Sequence, residues 1–191
     1  MIKIGITGGI GAGKSYVAEC FAACGIPVYS CDDEAKRLMV SDAALVSSLK
    51  SAVASDVYNP DGSLNKAVLA EFIFSDACNR EKINSLVHPV VFDDFLRWAD
   101  GQNAPMVAVE SAILFESGLS LLVDKTVCVT APVELRIERV VARDAASRES
   151  VEARIKSQMD DGQRVSKADF VIYNDGVRAV DNQIRNVINS L

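Results

Sequence analysis

The sequence predicts an α/β protein in which a five-stranded parallel sheet lies between two layers of helices. Five short apolar runs, rich in valine and isoleucine, are spread along the chain, with helical patterns between them. Runs with so little alternation are typical of strands that are covered on both faces. A glycine-rich stretch also separates the first run from the first helical pattern. These observations together predict a three-layer α/β/α fold.

The expected strands are the segments "IKIGIT" (2–7), "IPVY" (26–29), "MVAVES" (106–111), "KTVCVT" (125–130) and "DFVIY" (169–173). Apolar residues recur at helical spacing in three further segments, which are 14–24, 132–144 and 177–190. We expect the second of these helices to begin at Pro132, because proline suits the first position of a helix.

The stretch between the second and third strands breaks the alternation. The segments "SDAALVSSLKSAV", "NKAVLAEFIF" and "NREKINSLVHPVVFDDFLRWAD" all have helical patterns, and no strand pattern separates them. We therefore expect a core formed by residues 1–41 and 102–191, with a helical insertion at 42–101.

The composition disfavours several classes of function. The net charge of −6 makes general binding to nucleic acid or to an anionic membrane surface a poor expectation. No apolar stretch is long enough for a transmembrane helix, and no signal peptide is visible. The five cysteines form no CxxC pair, so we expect reduced thiols in a cytoplasmic protein. Cys20 and Cys24 are expected to be small core residues of the first helix.

The glycine-rich stretch "GGIGAGKS" carries the most specific signal. Gly8, Gly13, Lys14 and Ser15 match the pattern G-x-x-x-x-G-K-[ST] between a strand and a helix. Glycines allow backbone N–H groups to converge on phosphate oxygens, and the helix adds the positive end of its dipole. Lys14 should reach the β- and γ-phosphates, and the Ser15 hydroxyl should bind Mg²⁺. The predicted fold is therefore of the P-loop NTPase type. Its expected nucleotide-binding residues are Gly9, Gly11, Ala12, Gly13, Lys14, Ser15 and Tyr16.

Two other classes of nucleotide-binding protein are disfavoured. A dinucleotide fingerprint starting at Gly9 would need a glycine where Lys14 stands. A GTPase switch would need D-x-x-G and [NT]-K-x-D motifs, and neither occurs in this chain.

Two carboxylates lie where parallel sheets keep their ligands, at the carboxyl ends of strands. Asp32 lies just beyond the second predicted strand and could orient or accept the proton of an acceptor hydroxyl. It could equally be the N-cap of a helix over 33–39. Glu110 closes the third strand and could hold Mg²⁺, or it could be a solvated strand end.

Three arginines, Arg136, Arg139 and Arg143, have helical spacing in an otherwise acidic protein. They could share a face of a lid, at about 136–150, that closes over the transferring phosphoryl group. The alternative is a solvated helix whose arginines pair with Glu134, Glu138 and Asp144.

At this point the chain resembles the dephospho-coenzyme A kinase family nearly end to end. The resemblance is carried, in order, by "IGITGGIGAGKS", "GIPVYSCDDEAKRL", "DGSLNKAVLAEFIFSD", "INSLVHP", "ESAILFESGL", "ERVVARD", "ARIKSQM" and "ADFVIYNDG". The chain departs from the usual family pattern at Tyr16, Ser30, Lys66 and Ala112. None of these departures affects Lys14 or Asp32.

The resemblance implies that the γ-phosphoryl group of ATP, with Mg²⁺, passes to the 3′-hydroxyl of the ribose in dephospho-coenzyme A. Asp32 matches the aspartate that follows the family's second strand. With the phosphate loop, the strand end and the arginine segment, the candidate catalytic residues are Asp32, Lys14, Arg139 and Arg143, and the candidate metal ligands are Ser15 and Glu110. The resemblance also implies that the helical insertion holds the acceptor, with Asp32, Lys66, Phe72 and His88 as substrate contacts. Phe72 and His88 could equally be core residues, and His88 could be a helix-end residue ahead of Pro89.

Two other functions remain open at this stage. One is a kinase of the same architecture that acts on a nucleotide or nucleoside. The other is a nucleotide-binding sensor without catalysis, which Asp32 and the arginine-rich segment disfavour because a sensor needs no acceptor base. We expect ATP and dephospho-coenzyme A as small-molecule substrates and no nucleic-acid or membrane partner. The sequence does not give the oligomeric state, and a monomer is favoured.

Overall fold

The computed structural model describes all residues, 1–191, and confirms the predicted fold class. Five parallel strands form one sheet in the order β2-β3-β1-β4-β5. The strands are β1 (Ile2–Gly8), β2 (Val28–Ser30), β3 (Met106–Glu110), β4 (Lys125–Thr130) and β5 (Phe170–Tyr173).

Nine α-helices accompany the sheet. They are α1 (Lys14–Ala23), α2 (Cys31–Ser41), α3 (Ala43–Ala52), α4 (Lys66–Ser75), α5 (Ala77–Asp100), α6 (Val133–Asp144), α7 (Arg148–Lys156), α8 (Asp161–Lys167) and α9 (Val180–Asn189). Short 3₁₀ helices occupy Ser55–Val57 and Leu119–Leu122.

The chain divides into two compact units, which are Met1–Ser30 with Gln102–Leu191, and Cys31–Gly101. The first boundary differs from our expectation, which assigned residues up to 41 to the core. Helix α2 packs against α3 and α5, so it belongs to the helical unit.

The sheet unit is built around the central strand β1, which pairs with β3 on one side and β4 on the other. Alternate residues of β1, such as Ile4 and Ile6, are fully buried against α1 and α9. The other face of β1 meets different neighbours, because a Cβ at Gly5 would touch Leu114 and Val123. Coverage on both faces explains why the strands show so little alternation.

The helical unit packs around the long helix α5. Its buried residues recur every four positions, which places them on one stripe of the helix: Ile83, Val87, Val91, Phe95 and Ala99. Helices α2, α3 and α4 all contact this helix. Such a stripe is the pattern of an amphipathic helix that is covered along one side.

Two smaller expectations, on Pro132 and Cys24, are corrected. Pro132 is the N-cap of α6 rather than its first residue, because its ψ of 138° is extended. Cys24 is exposed and is therefore not the core residue expected, whereas Cys20 is partly buried and packs against the core cluster. All five thiols are free. None of the helices is both long enough and apolar enough to span a bilayer.

Candidate active site

The predicted phosphate loop connects the carboxyl end of β1 to the start of α1. Gly13 is the N-cap of α1 and has a left-handed backbone, with φ of 91°. A side chain at this position would also overlap the amide of Asn174. Glycine is therefore required at residue 13 both by its backbone angles and by close packing. Lys14 and Ser15 follow as the first two residues of the helix.

A cavity of about 170 Å³ lies over the amino end of α1. It brings together most of the residues predicted to bind phosphate, and its walls are formed by Gly11, Gly13, Lys14, Ser15, Tyr16, Arg139, Val140 and Arg143. Three cationic side chains and a helix amino terminus thus surround one small space. Such an arrangement favours a multiply charged anion, such as the phosphate chain of a nucleotide.

Arg139 brings an unusual feature to this cavity. Its Nη1 atom is buried and has no hydrogen-bond partner. An unsatisfied buried donor is costly, and the cost is larger for a charged group. A phosphate oxygen in the cavity would provide the missing acceptor.

Arg143 lies at the other side of the cavity and is bound by its neighbour. Its Nε donates to Asp144 at 2.7 Å and its Nη2 donates to the second carboxylate oxygen at 3.2 Å. These hydrogen bonds lower the pKa of the Asp144 carboxyl below its usual value. Arg154 also contacts Asp144, at 3.3 Å. Arg143 therefore has an alternative anionic partner near the cavity.

The expectation that Arg136 shares a lid face with the other two arginines is wrong. Arg136 is only 1% exposed and does not line the cavity. Its guanidinium bonds to the backbone of the phosphate loop at Ile10 and to Asp161. The helical spacing is correct, but the first arginine points into the protein and the other two line the cavity.

Two residues of the predicted nucleotide-binding set lie outside the cavity wall. Gly9 is buried, and a Cβ there would overlap the Arg136 guanidinium. Ala12 is fully buried in the core beneath α1, and its backbone carbonyl accepts a 2.9 Å hydrogen bond from Asn174. Both residues therefore shape the loop from behind.

Asp32 is exposed and lies in the first turn of α2. The alternative expectation that it caps a helix starting at 33 is wrong, because α2 begins earlier, at Cys31. Its carboxylate makes no hydrogen bond within the chain. Asp33 and Glu34 share this turn and interact with Lys36 and Arg37 respectively.

Glu110 is half-buried at the end of β3 and lies opposite Ile6 of β1 and Ser30 of β2 in the sheet register. Strands on both sides make it less exposed than a solvated strand end. Ser15 lines the phosphate cavity. The chain has no cluster of three or more His, Cys, Asp or Glu side chains that could hold a metal ion. Two oxygen donors suit Mg²⁺, which usually retains water and binds substrate phosphates.

The remaining predicted substrate residues lie in the helical unit. Lys66 is exposed as the first residue of α4, and Phe72 is half-buried beneath the ammonium of Lys82 at 5.9 Å. His88 stacks on Phe92 with ring centroids 5.8 Å apart. Burial lowers the pKa of His88 from its ordinary value.

A second cavity, of about 430 Å³, is also lined by Tyr16. Its other walls come from the turn after β5 and the start of α9, at Asn174, Gly176, Val177, Arg178, Ala179, Val180 and Asp181. Sequence reasoning assigned no role to this turn. The segment "NDG" (174–176) that follows β5 was the available signal, since polar turns at the carboxyl end of a strand commonly bind ligands.

Comparison with known proteins gives a consistent result. The family model for dephospho-CoA kinase matches residues 2–179. A Bacteroides fragilis protein named dephospho-CoA kinase is 42% identical over 188 residues, covering 98% of this chain and 91% of that protein. The crystal structure of TT1252 from Thermus thermophilus is 33% identical, with a TM-score of 0.82 and coverage of 100% and 97%. A dephospho-CoA kinase structure from Campylobacter jejuni is 25% identical, with a TM-score of 0.71 and coverage of 98% and 96%.

Proposed function

This chain belongs to the dephospho-CoA kinase family, and from that premise we propose how its residues carry out the reaction. It is an ATP-dependent phosphotransferase with dephospho-CoA kinase activity. The γ-phosphoryl group of ATP passes to the 3′-hydroxyl of the ribose in dephospho-CoA, and ADP and CoA leave. Three of the residues assigned to this chemistry share one cavity, and the remaining one, Asp32, follows β2.

The cavity at the amino end of α1 is the observation that carries the proposal. It is lined by Lys14, Arg139 and Arg143, so three positive side chains meet the phosphate chain together. Lys14 neutralises charge on the β- and γ-phosphates during transfer. The unsatisfied Nη1 of Arg139 finds its acceptor on a phosphate oxygen. Arg143 exchanges its hydrogen bonds with Asp144 for bonds to the transferring group.

The neighbouring cavity suits the nucleoside half of ATP. It shares Tyr16 with the phosphate cavity and has a volume in the usual range for small-molecule sites. Arg178 lies over the Tyr173 ring at 4.0 Å, close to this turn. Residues 176–179 of this turn are exposed, with the N–H groups of Val177 and Arg178 already donating to Asp175. We therefore assign adenosine to this cavity and the phosphates to the cavity of Lys14.

Ser15 and Glu110 would hold Mg²⁺ together with phosphate oxygens and water. The ion would offset the negative charge of the β- and γ-phosphates when bound. Ser15 presents its hydroxyl from the first turn of α1. Glu110 offers its carboxylate from the end of β3.

Asp32 is assigned to the acceptor hydroxyl. Its carboxylate is exposed, makes no hydrogen bond within the chain, and follows the end of β2 by two residues. An uncommitted carboxylate can accept the hydroxyl proton or orient the oxygen for attack. The helical unit would hold the rest of the acceptor, with Lys66, Phe72 and His88 as contacts.

The direct test measures ADP formation with MgATP and either dephospho-CoA or a panel of nucleosides and nucleotides. We expect turnover only when dephospho-CoA is the acceptor. Lys14→Met should lower this turnover by at least ~10² without unfolding the protein. Lys156→Met, the same change on an exposed lysine of α7 outside the cavity, is the matched control. Turnover with a nucleoside instead, or a fully active Lys14→Met variant, would contradict the proposal.

A further inference from the structure

Ile10, at the tip of the phosphate loop, is anchored through both of its backbone polar atoms. Its N–H donates to Oε1 of Gln158 at 2.8 Å. Its carbonyl accepts from Nε of Arg136, also at 2.8 Å. We propose that Arg136 and Gln158 are positioning residues that fix the phosphate loop in its ATP-binding shape before ATP arrives. The inference rests on the proposed function in one respect, which is that this loop binds the phosphates of ATP.

Arg136 is itself held in a buried ionic network. Asp161 bonds to Arg136 through one carboxylate oxygen and to Nη1 of Arg164 at 2.7 Å through the other. Arg164 is fully buried as well, and its Nη2 donates to the carbonyl of Met159 at 2.9 Å. This network joins α6 to α8 behind the phosphate loop.

Burying this ionic network carries a cost in free energy. Burying guanidinium groups carries a desolvation cost, and apolar side chains of similar volume often stabilise a fold as well or better. Only the planar guanidinium fork, however, can donate to Ile10 and to Asp161 at the same time. Its retention is explained if the position of Ile10 matters to function.

Gly9 shows how closely the guanidinium approaches the loop. A single Cβ at this glycine would overlap the Arg136 guanidinium. Arg136 nevertheless does not line the phosphate cavity. It therefore acts on the loop from behind and not by touching the phosphates.

The geometry of the peptide unit explains how this anchor affects binding. The carbonyl of Ile10 and the N–H of Gly11 share one planar trans peptide and point in opposite directions. With the carbonyl fixed on the Arg136 guanidinium, the N–H of Gly11 points away from that guanidinium. Gly11 lines the phosphate cavity. The two anchors therefore keep the Ile10 carbonyl oxygen from turning toward the phosphates and keep the Gly11 N–H available as a donor. Such preorganisation of donors favours anion binding.

The test is ATP affinity, measured by calorimetry without any acceptor. Arg136→Gln and Gln158→Met should each weaken ATP binding by about tenfold, and Arg136→Lys should fall between Arg136→Gln and the unchanged protein. In the ligand-free protein, Arg136→Gln and Gln158→Met should both increase the rate of amide hydrogen exchange in residues 8–13. Gln163→Met, the same change on an exposed glutamine of α8, is the control and should leave both measurements unchanged.

A purely structural role predicts a different pattern, in which Tm falls but folded protein binds ATP normally. ATP affinities within about twofold of the unchanged protein for both variants, a difference worth less than a typical hydrogen bond, would overturn the proposal. If Arg136→Gln fails to fold, Gln158→Met decides alone, because Gln158 is only partly buried. The ATP affinity is measured without the acceptor, so a failure to phosphorylate dephospho-CoA would contradict the proposed function and leave this inference intact.

Discussion

Asn174 donates a 2.9 Å hydrogen bond from its side-chain amide to the backbone carbonyl of Ala12. The same amide lies where a Cβ of Gly13 would be. The backbone N–H of Asn174 in turn donates to Thr130 at the end of β4. The turn after β5 is thereby tied both to the phosphate loop and to the sheet.

The contact between Asn174 and residue 13 can be separated from backbone strain. Gly13→Ala should destabilise the protein by more than about 1 kcal/mol, since it combines a left-handed φ with a steric overlap. Gly25→Ala is the control, because Gly25 has a similar φ of 82° but no atom within 4 Å of the new Cβ.

Adding Asn174→Ala removes the overlap and leaves the φ strain. The excess cost of Gly13→Ala over Gly25→Ala, from denaturant unfolding, should therefore shrink in the Asn174→Ala background. An excess that is the same in both backgrounds would show that Asn174 is not the group that excludes a side chain at position 13.

Arg139 should show opposite effects on stability and activity. Arg139→Met removes a buried donor that has no partner, so the ligand-free protein should be as stable as before or slightly more so. Turnover should fall by ~10² or more, because a phosphate contact is lost. The measurements are thermal unfolding without ligand and the rate of ADP formation.

Arg185→Met is the control for this pair of measurements, since Arg185 is an exposed arginine of α9 outside both nucleotide cavities. It should change neither quantity appreciably. A large loss of stability in Arg139→Met would mean that Arg139 has a structural role that the ligand-free geometry does not account for.

Asp32→Asn should lower turnover by ~10²–10⁴ while ATP affinity changes little, because the charge that serves the acceptor hydroxyl is lost. The cost in stability should be below about 1 kcal/mol, which is the usual effect of a carboxylate in the first turn of a helix. The measurements are the rate of CoA formation, ATP affinity and thermal unfolding.

Asp33→Asn is a close control, since it removes a carboxylate from the same turn of α2. This variant loses an exposed ion pair with Lys36 and should keep nearly normal turnover. Equal losses of turnover in the two variants would indicate that the charge of this turn, and not Asp32 itself, serves the reaction.

His88 should make stability depend on pH in a defined window. It is the only histidine, and burial lowers its pKa below the ordinary value of 6.5. Just below pH 6.5 the unfolded chain therefore binds more protons than the folded protein, so stability falls as pH falls from 6.5 through the pKa of the folded state. The pKa values of Asp144, Asp169 and Asp175 are lowered below their ordinary acidic value, so these carboxylates stay ionised across this window.

A proton NMR titration of the single imidazole should give a pKa below 6.5, and unfolding at pH 5 to 7 should show the loss of stability. His88→Gln should flatten the dependence over this range. An imidazole pKa at or above 6.5 would contradict the burial of His88 within the helical unit.

The strands, their parallel arrangement and the phosphate loop were predictable because each depends on local sequence. Buried parallel strands are continuously apolar, and the phosphate loop has fixed residues at fixed spacing. Arg139 and Arg143 line one cavity with the loop, and their helical spacing after β4 had favoured a place near the phosphates. Closure of this segment as a lid stays a prediction.

The role of Arg136 was not predictable from the same pattern. Its partner Asp161 lies 25 residues further along, and only the packing of α8 against β4 brings the two together. Gln158 and Asn174 were also missed. Each forms a hydrogen bond with a backbone atom of the loop, and such a contact leaves no signal in the residue types. The start of α2 was misjudged because Cys31 carries no capping signal.

The position of β1 also has a consequence for synthesis on the ribosome. This strand is the first to be made, yet its two neighbours in the sheet are β3 and β4, which begin only at Met106 and Lys125. The intervening segment, Cys31–Gly101, forms a compact unit from one continuous stretch of chain. We therefore expect the helical segment of the nascent chain to fold while β1 is still unpaired. The chain should be most prone to aggregation during that interval.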